Sequence, residues 1–150
     1  MADDEVPIPA LLRAARGAYG IAIGRRLAAA SFDDLPRNGP FILGGMGNHG
    51  VAAGDLVRQL GVSKQAAGQL IDTLVLRGYL ERRTNSDDRR RLTIELTDRG
   101  RAAAAEVRAG VEDVDRELAA QVTSAQLDGL RAGLDALTTI REQMEDEARV

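Results

Sequence analysis

The stretch "VSKQAAGQLIDTLVLRGYLERRTNSDDRRRLTIELT", Val62 to Thr97, changes its hydrophobic period part-way. In its first half Ala67, Leu70, Ile71 and Leu74 recur at helical spacing, with Ser63 as N-cap and Gly78 just past the end. In its second half Leu80 on one side and Leu92, Ile94 and Leu96 on the other alternate with polar residues. Period two on both sides of a charged segment predicts a β-hairpin. "RRTNSDDRRR", Arg82 to Arg91, therefore runs from one strand through a loop into the next. Taken alone it would be a solvated charge run.

Upstream, "HGVAAGDLVRQLG" reads as a helix ending at Gly61, with Leu56, Val57 and Leu60 inward. Two helices joined by a turn of three or four residues containing a glycine have helix-turn-helix spacing. Farther upstream an amphipathic helix is expected from Ile8 to about Ala30, on Leu11, Ala15, Tyr19, Ala22, Ile23 and Leu27. "SFDDLPRNGP" breaks it, and "FILGGMGN" suits a short helix. Downstream, Thr97 caps an alanine-rich helix. Thr123 and Gln126 have capping-box spacing before a last helix striped by Leu127, Leu130, Leu134, Leu137, Ile140 and Met144. A helix-turn-helix followed directly by a charged hairpin is a winged helix.

Charge is segregated. The 150-residue chain carries −3 overall, but residues 51–101 hold ten basic and seven acidic side chains, net +3, and residues 102–150 hold five and eleven, net −6. A basic middle with an acidic tail points to a local polyanion contact. The second helix of such a motif offers short polar side chains to base edges in the major groove. Here those positions are Ser63, Lys64, Gln65, Gly68 and Gln69, and Lys64 is the chain's single lysine. Gln suits adenine, and Lys suits guanine or a phosphate.

The residues Asp55-Leu56-Val57, Leu60-Gly61-Val62-Ser63, Leu74, Arg77-Gly78-Tyr79-Leu80 and Arg82, then Asp88-Arg89-Arg90, Leu96-Thr97 and Gly100, resemble the MarR family of bacterial transcriptional regulators. The close resemblance covers about a third of the chain, and the flanking helices match the family's layout in pattern. Asp-x-Arg before Leu-Thr is its most specific element. The resemblance implies that Arg90 touches DNA and that Asp88 braces it. Asn85 stands where the family often has Asp, and Asp87 where it often has Arg, which makes the wing tip less positive.

The expected fold is mainly α with a small β-hairpin, one domain over 1–150. Dimerisation helices would lie at about 7–35 and 98–148, and the winged helix-turn-helix at about 38–97 with its wing at about 79–97. The DNA-binding candidates are Ser63, Lys64, Gln65, Gly68, Gln69, Arg82, Arg83, Arg89 and Arg90. The resemblance implies a homodimeric, ligand-responsive repressor on a pseudo-palindromic operator in double-stranded DNA, with a small aromatic or anionic effector. The apolar stripes of the first and last helices favour a dimer independently. The alternative is a winged-helix interaction or architectural dimer without a specific operator.

Other classes find little support. With no cysteine there is no disulfide, thiolate metal site or thiol switch. Lone His49 is read as a loop residue, and no metal or other cofactor is expected. Aromatics are 3% and Trp is absent, which argues against base stacking on single strands. "GGMGNHG" lacks the Lys-Ser/Thr of a phosphate loop. The adjacent pairs Asp33-Asp34 and Asp87-Asp88 point apart, so no catalytic carboxylate pair is expected and the chain is not read as an enzyme. There is no apolar run of membrane-spanning length and no signal peptide, so the expected location is the cytoplasm.

Overall fold

Helix α1 (Ile8–Ala29) starts with a proline in its first turn and ends without a glycine. The left-handed position just past its end is held by Ser31, φ +63°, and the Phe32 amide donates back to the Leu27 carbonyl at 2.9 Å. This is a Schellman-type stop with serine where glycine is usual. The computed structural model describes residues 5–47, 49–84, 87 and 91–148. The expected α1 stripe divides along its length: Tyr19, Ala22, Ile23 and Leu27 turn inward, while Leu11 remains exposed.

After α1 come α2 (Gly39–Gly45), β1 (Val51–Ala52), α3 (Ala53–Leu60), α4 (Lys64–Leu76), β2 (Leu80–Thr84), β3 (Leu92–Leu96), α5 (Asp98–Gln121) and α6 (Ser124–Glu147). The architecture is mainly helical with a three-stranded antiparallel sheet of order β1-β3-β2. The expected hairpin is present, with Leu80 opposite Leu96 and Thr84 opposite Leu92. It is not alone. Val51 and Ala52, expected at the start of a helix, instead pair with Ile94 and Thr93, and the helix begins only at Ala53. The first hairpin strand runs through Thr84 and the second begins at Leu92.

The chain forms two compact units, residues 1–112 and 113–150. In the first, the core gathers Leu27, Ile42, Leu43, Leu56, Ile71, Leu74, Tyr79, Leu80 and Ile94 with Ala103, Ala104 and Val107 of α5. The turn between α3 and α4 passes through Gly61 at φ +61°, which glycine adopts without steric cost. Gly110 lets α5 approach α1 closely, since a Cβ there would lie 2.8 Å from the Ile23 Cα. In the second unit, α6 opens with the expected capping box. The Gln126 amide donates to Thr123 Oγ1 at 3.2 Å, and the Thr123 amide donates to Gln126 Oε1 at 2.9 Å. None of the residues of α6 is buried, and its stripe Leu130, Leu134, Leu137, Ile140 and Met144 is exposed.

Candidate nucleic-acid interface

The N-terminus of α4 is built by Ser63, whose Oγ accepts from the Ala66 amide at 3.1 Å. Replacing such a cap by alanine typically costs about 1 kcal/mol. Ala67, Ile71 and Leu74 bury one face of α4, which leaves Ser63, Lys64, Gln65 and Gln69 exposed and Gly68 half-buried on the other. Five candidate residues read from the sequence thus lie along the solvent side of the first turns of one helix. The helix dipole and the free first-turn amides favour an anion such as phosphate there.

The far end of α4 is held by different chemistry. Gly78, at φ +77°, turns the chain so that Tyr79 is fully buried. Thr97 performs two tasks at this point. Its hydroxyl donates to the Gly78 carbonyl, and its oxygen accepts from the Gly100 amide at 3.0 Å, capping α5. A Cβ on Gly100 would run into the carbonyl oxygen of Tyr79, so the first turn of α5 can pack here only with glycine at that position.

Arg82 and Arg83, adjacent in sequence, take opposite faces of the hairpin, as strand pleating dictates. Arg82 lies opposite Ile94, on the face shared with Leu80, and pairs with Asp72 of α4. Arg83 lies on the other face, where Glu81 and Glu95 stand directly across from each other. Two carboxylates in that relation repel. Arg83 sits between them, 2.9 Å from Glu81 and 3.2 Å from Glu95. The hydrogen bond to Glu81, with the charges of Glu81 and Glu95, holds the guanidinium even more firmly protonated than usual. Arg82 is therefore tied to α4, and Arg83 to its own sheet. Arg89, Arg90 and Asp88, the last expected to brace Arg90, lie outside the described residues.

A polar cluster that sequence reading missed surrounds Tyr79. The Tyr79 hydroxyl donates to the Asp34 carboxylate, which also accepts from Arg99 at 2.9 Å. The Arg99 guanidinium lies 4.5 Å from the centroid of the Tyr79 ring and 5.7 Å from that of Phe32. The hydrogen bond from Tyr79, with Arg99 beside it, holds the Asp34 carboxyl below its ordinary range against the opposing effect of burial. Burial, with the Asp34 carboxylate next to it, pushes the Tyr79 phenol up. Asp34 is 45 residues from Tyr79 and 65 from Arg99, and no local spacing rule reaches across such separations.

Among the described residues no group of three or more His, Cys, Asp or Glu is arranged to hold a metal ion, and His49 is exposed. No helix of the described residues is long and apolar enough to cross a membrane.

This geometry has close relatives. A family model described as MarR family matches residues 33–91. The transcriptional repressor MprA of Escherichia coli K12 is 30% identical over 103 residues, which is 69% of this chain and 58% of that protein. The chain thus spans somewhat over half the length of that curated relative. Among solved structures, a crystal structure of MarR superposes with a TM-score of 0.73 at 21% identity, covering 96% of this chain and 97% of that one. The Staphylococcus aureus MepR–DNA complex gives 0.72 at 17% identity, covering 90% and 98%. A probable transcriptional regulator from Pseudomonas aeruginosa gives 0.64 at 24% identity, covering 91% and 99%. The matched span runs from residue 33, just past α1, through α4 and β2 to Arg91, so it includes the exposed first turns of α4, and over that span the chain matches the MarR family on a winged helix-turn-helix fold shared with MarR.

Proposed function

We propose that this protein is a sequence-specific, double-stranded DNA-binding transcriptional repressor that acts as a homodimer on a pseudo-palindromic operator. The observation that carries the reading is the exposed face of α4, where a Ser63-capped N-terminus presents Lys64, Gln65, Gly68 and Gln69. Short polar and small side chains at the start of the second helix of the motif suit insertion into the major groove. Lys64 serves as a guanine or phosphate contact and Gln65 as an adenine reader. The wing, with Arg89 and Arg90, lies over the adjacent minor groove, and Asp88 orients Arg90. Phosphate contacts supply most of the affinity and make it fall steeply with salt. The repressor MprA and the DNA complex of MepR among the similar proteins support this reading.

Dimerisation is supported by two apolar faces. On α1 Ile8, Leu11, Leu12 and Ile21 are exposed, and on α6 the leucine stripe is. Apolar stripes of this length on a chain of this size call for a partner surface. In twofold dimers the half-sites lie about one helical turn, ~10 bp, apart. A small aromatic or anionic effector relieves repression by favouring a dimer whose reading helices are wrongly spaced, which requires different affinities for the two states.

Selection of bound duplexes from a random DNA pool tests the class and the dimer together. Enrichment of a palindrome with half-sites ~10 bp apart is expected. A pool that emerges without a consensus would leave the interaction-module alternative standing. Within the selected site, Arg90→Ala should weaken binding to every sequence and reduce the salt slope by about 1.

A further inference from the structure

The residues that follow α1 meet the far end of α4 at the edge of the hydrophobic core, where polar contacts are added to the apolar packing. Ser31 in its left-handed conformation and the Phe32-to-Leu27 hydrogen bond fix the direction in which the chain leaves α1. The next residues then meet the end of α4. The Phe32 ring packs tilted against Tyr79, with centroids 6.1 Å apart. The Asp34 carbonyl accepts from Arg77, the C-cap of α4, and its carboxylate accepts from Tyr79. Arg99, the second residue of α5, closes the cluster by donating to Asp34 at 2.9 Å and to the Tyr79 hydroxyl at 3.0 Å. Helix α1, the end of α4 and the start of α5 are thus joined at one point by directional bonds.

We propose that Asp34, Tyr79 and Arg99 are positioning residues that fix the orientation of α4 relative to α1 and α5, and so set the half-site spacing that the dimer accepts. The inference rests on the homodimeric DNA-binding reading above. Apolar packing is non-directional and tolerates small rotations between elements. Hydrogen bonds to a charged acceptor do not, since they weaken steeply as the angle departs from linear. In a dimer joined through α1, a rotation of each α4 about its own end changes the distance between the two reading helices. None of the three residues needs to touch DNA for this effect.

The test measures affinity for a series of duplexes that carry the selected half-sites at the preferred spacing and at one and two base pairs either side. Tyr79→Phe keeps the ring and its packing on Phe32 but removes the hydroxyl. Asp34→Asn keeps the shape but removes the charge, and Asp34 is exposed, so the variant retains its fold even if Tyr79→Phe does not. The wild-type protein should discriminate sharply against wrong spacings. Each variant should lose about fivefold of that discrimination, the factor that one net hydrogen bond supplies, while binding to a single half-site is unchanged. A merely structural role would lower affinity by the same factor at every spacing, and that uniform loss overturns the proposal, as does an unchanged profile. A wild-type protein that selects no spaced palindrome overturns the dimeric DNA-binding reading and this inference with it. Sharp wild-type spacing with equally sharp variants overturns the inference alone.

Discussion

Arg82 on β2 pairs with Asp72 on α4, and this contact joins the base of the hairpin to that helix. Both side chains are well exposed, Arg82 at 38% and Asp72 at 66%. Water screens such a pair, and its worth for stability is of the order of 0–1 kcal/mol. A double-mutant cycle with Asp72→Ala and Arg82→Ala, followed by urea unfolding, should give a coupling energy in that range that shrinks with added salt. A coupling of about 3 kcal/mol, the size seen when a buried pair is broken, would contradict the surface assignment.

Arg83 leads to a different expectation. It bridges the facing carboxylates Glu81 and Glu95, so its charge is already engaged before any DNA arrives. Arg83→Ala leaves two carboxylates opposed on the wing and should lower both stability and DNA affinity. Glu81→Gln leaves Arg83 paired with Glu95 alone and removes one negative charge from the wing. Its affinity for DNA of any sequence should rise, and the salt slope should steepen toward one further contact, about 1 unit. Filter binding at several salt concentrations separates these outcomes. Equal affinity for Glu81→Gln and wild type would mean that Arg83 stays with its sheet when DNA is bound.

Gly68 separates stability from function. It sits inside α4, and a Cβ added there meets nothing within 4 Å. Packing therefore does not require glycine, although glycine inside a helix costs about 0.5–1 kcal/mol relative to alanine. Gly68→Ala should raise the thermal midpoint. If the backbone approaches DNA at this point, the same change should weaken operator binding. A variant that is both more stable and equally tight would remove Gly68 from the interface.

Periodicity revealed most of the scaffold. The helical face of α4, the alternation of β2 and β3, and the caps Ser63, Thr97 and Thr123 are all local signals, and each is found where the sequence places it. What was not legible is non-local or lacks a signature. Strand β1 is two residues long, too short to display a period, and it exists because Val51 and Ala52 reach β3. The stop of α1 uses Ser31 where a glycine would have signalled it. Arg82 and Arg83 read as equal members of a basic patch, and only the register reveals that one turns to Asp72 and the other to Glu81 and Glu95. Asp34 was read as one of an adjacent pair of carboxylates, because its partners come from α5 and the turn after α4.

The cluster around Tyr79 should leave a mark on the pH dependence of stability. The Asp34 carboxyl is depressed in the folded protein, chiefly by the hydrogen bond from Tyr79. Its contribution is therefore present at neutral pH and is lost as pH falls below the ordinary aspartate value of 3.8. The Tyr79 phenol is raised, first by burial and then by the Asp34 carboxylate. Its contribution is complete below the ordinary tyrosine value of 10.0 and is lost as pH rises beyond it, because the unfolded chain releases that proton first. Tyr79→Phe should flatten the alkaline decline, and Asp34→Asn should flatten the acid one by a smaller amount, since Asp34 is exposed. Urea midpoints measured from about pH 3 to about pH 11 give both limbs from one set of samples. Tyr79→Phe should also weaken the acid limb, because it removes the bond that depresses Asp34. An acid limb identical to that of the wild type would show that Arg99 alone holds the carboxylate.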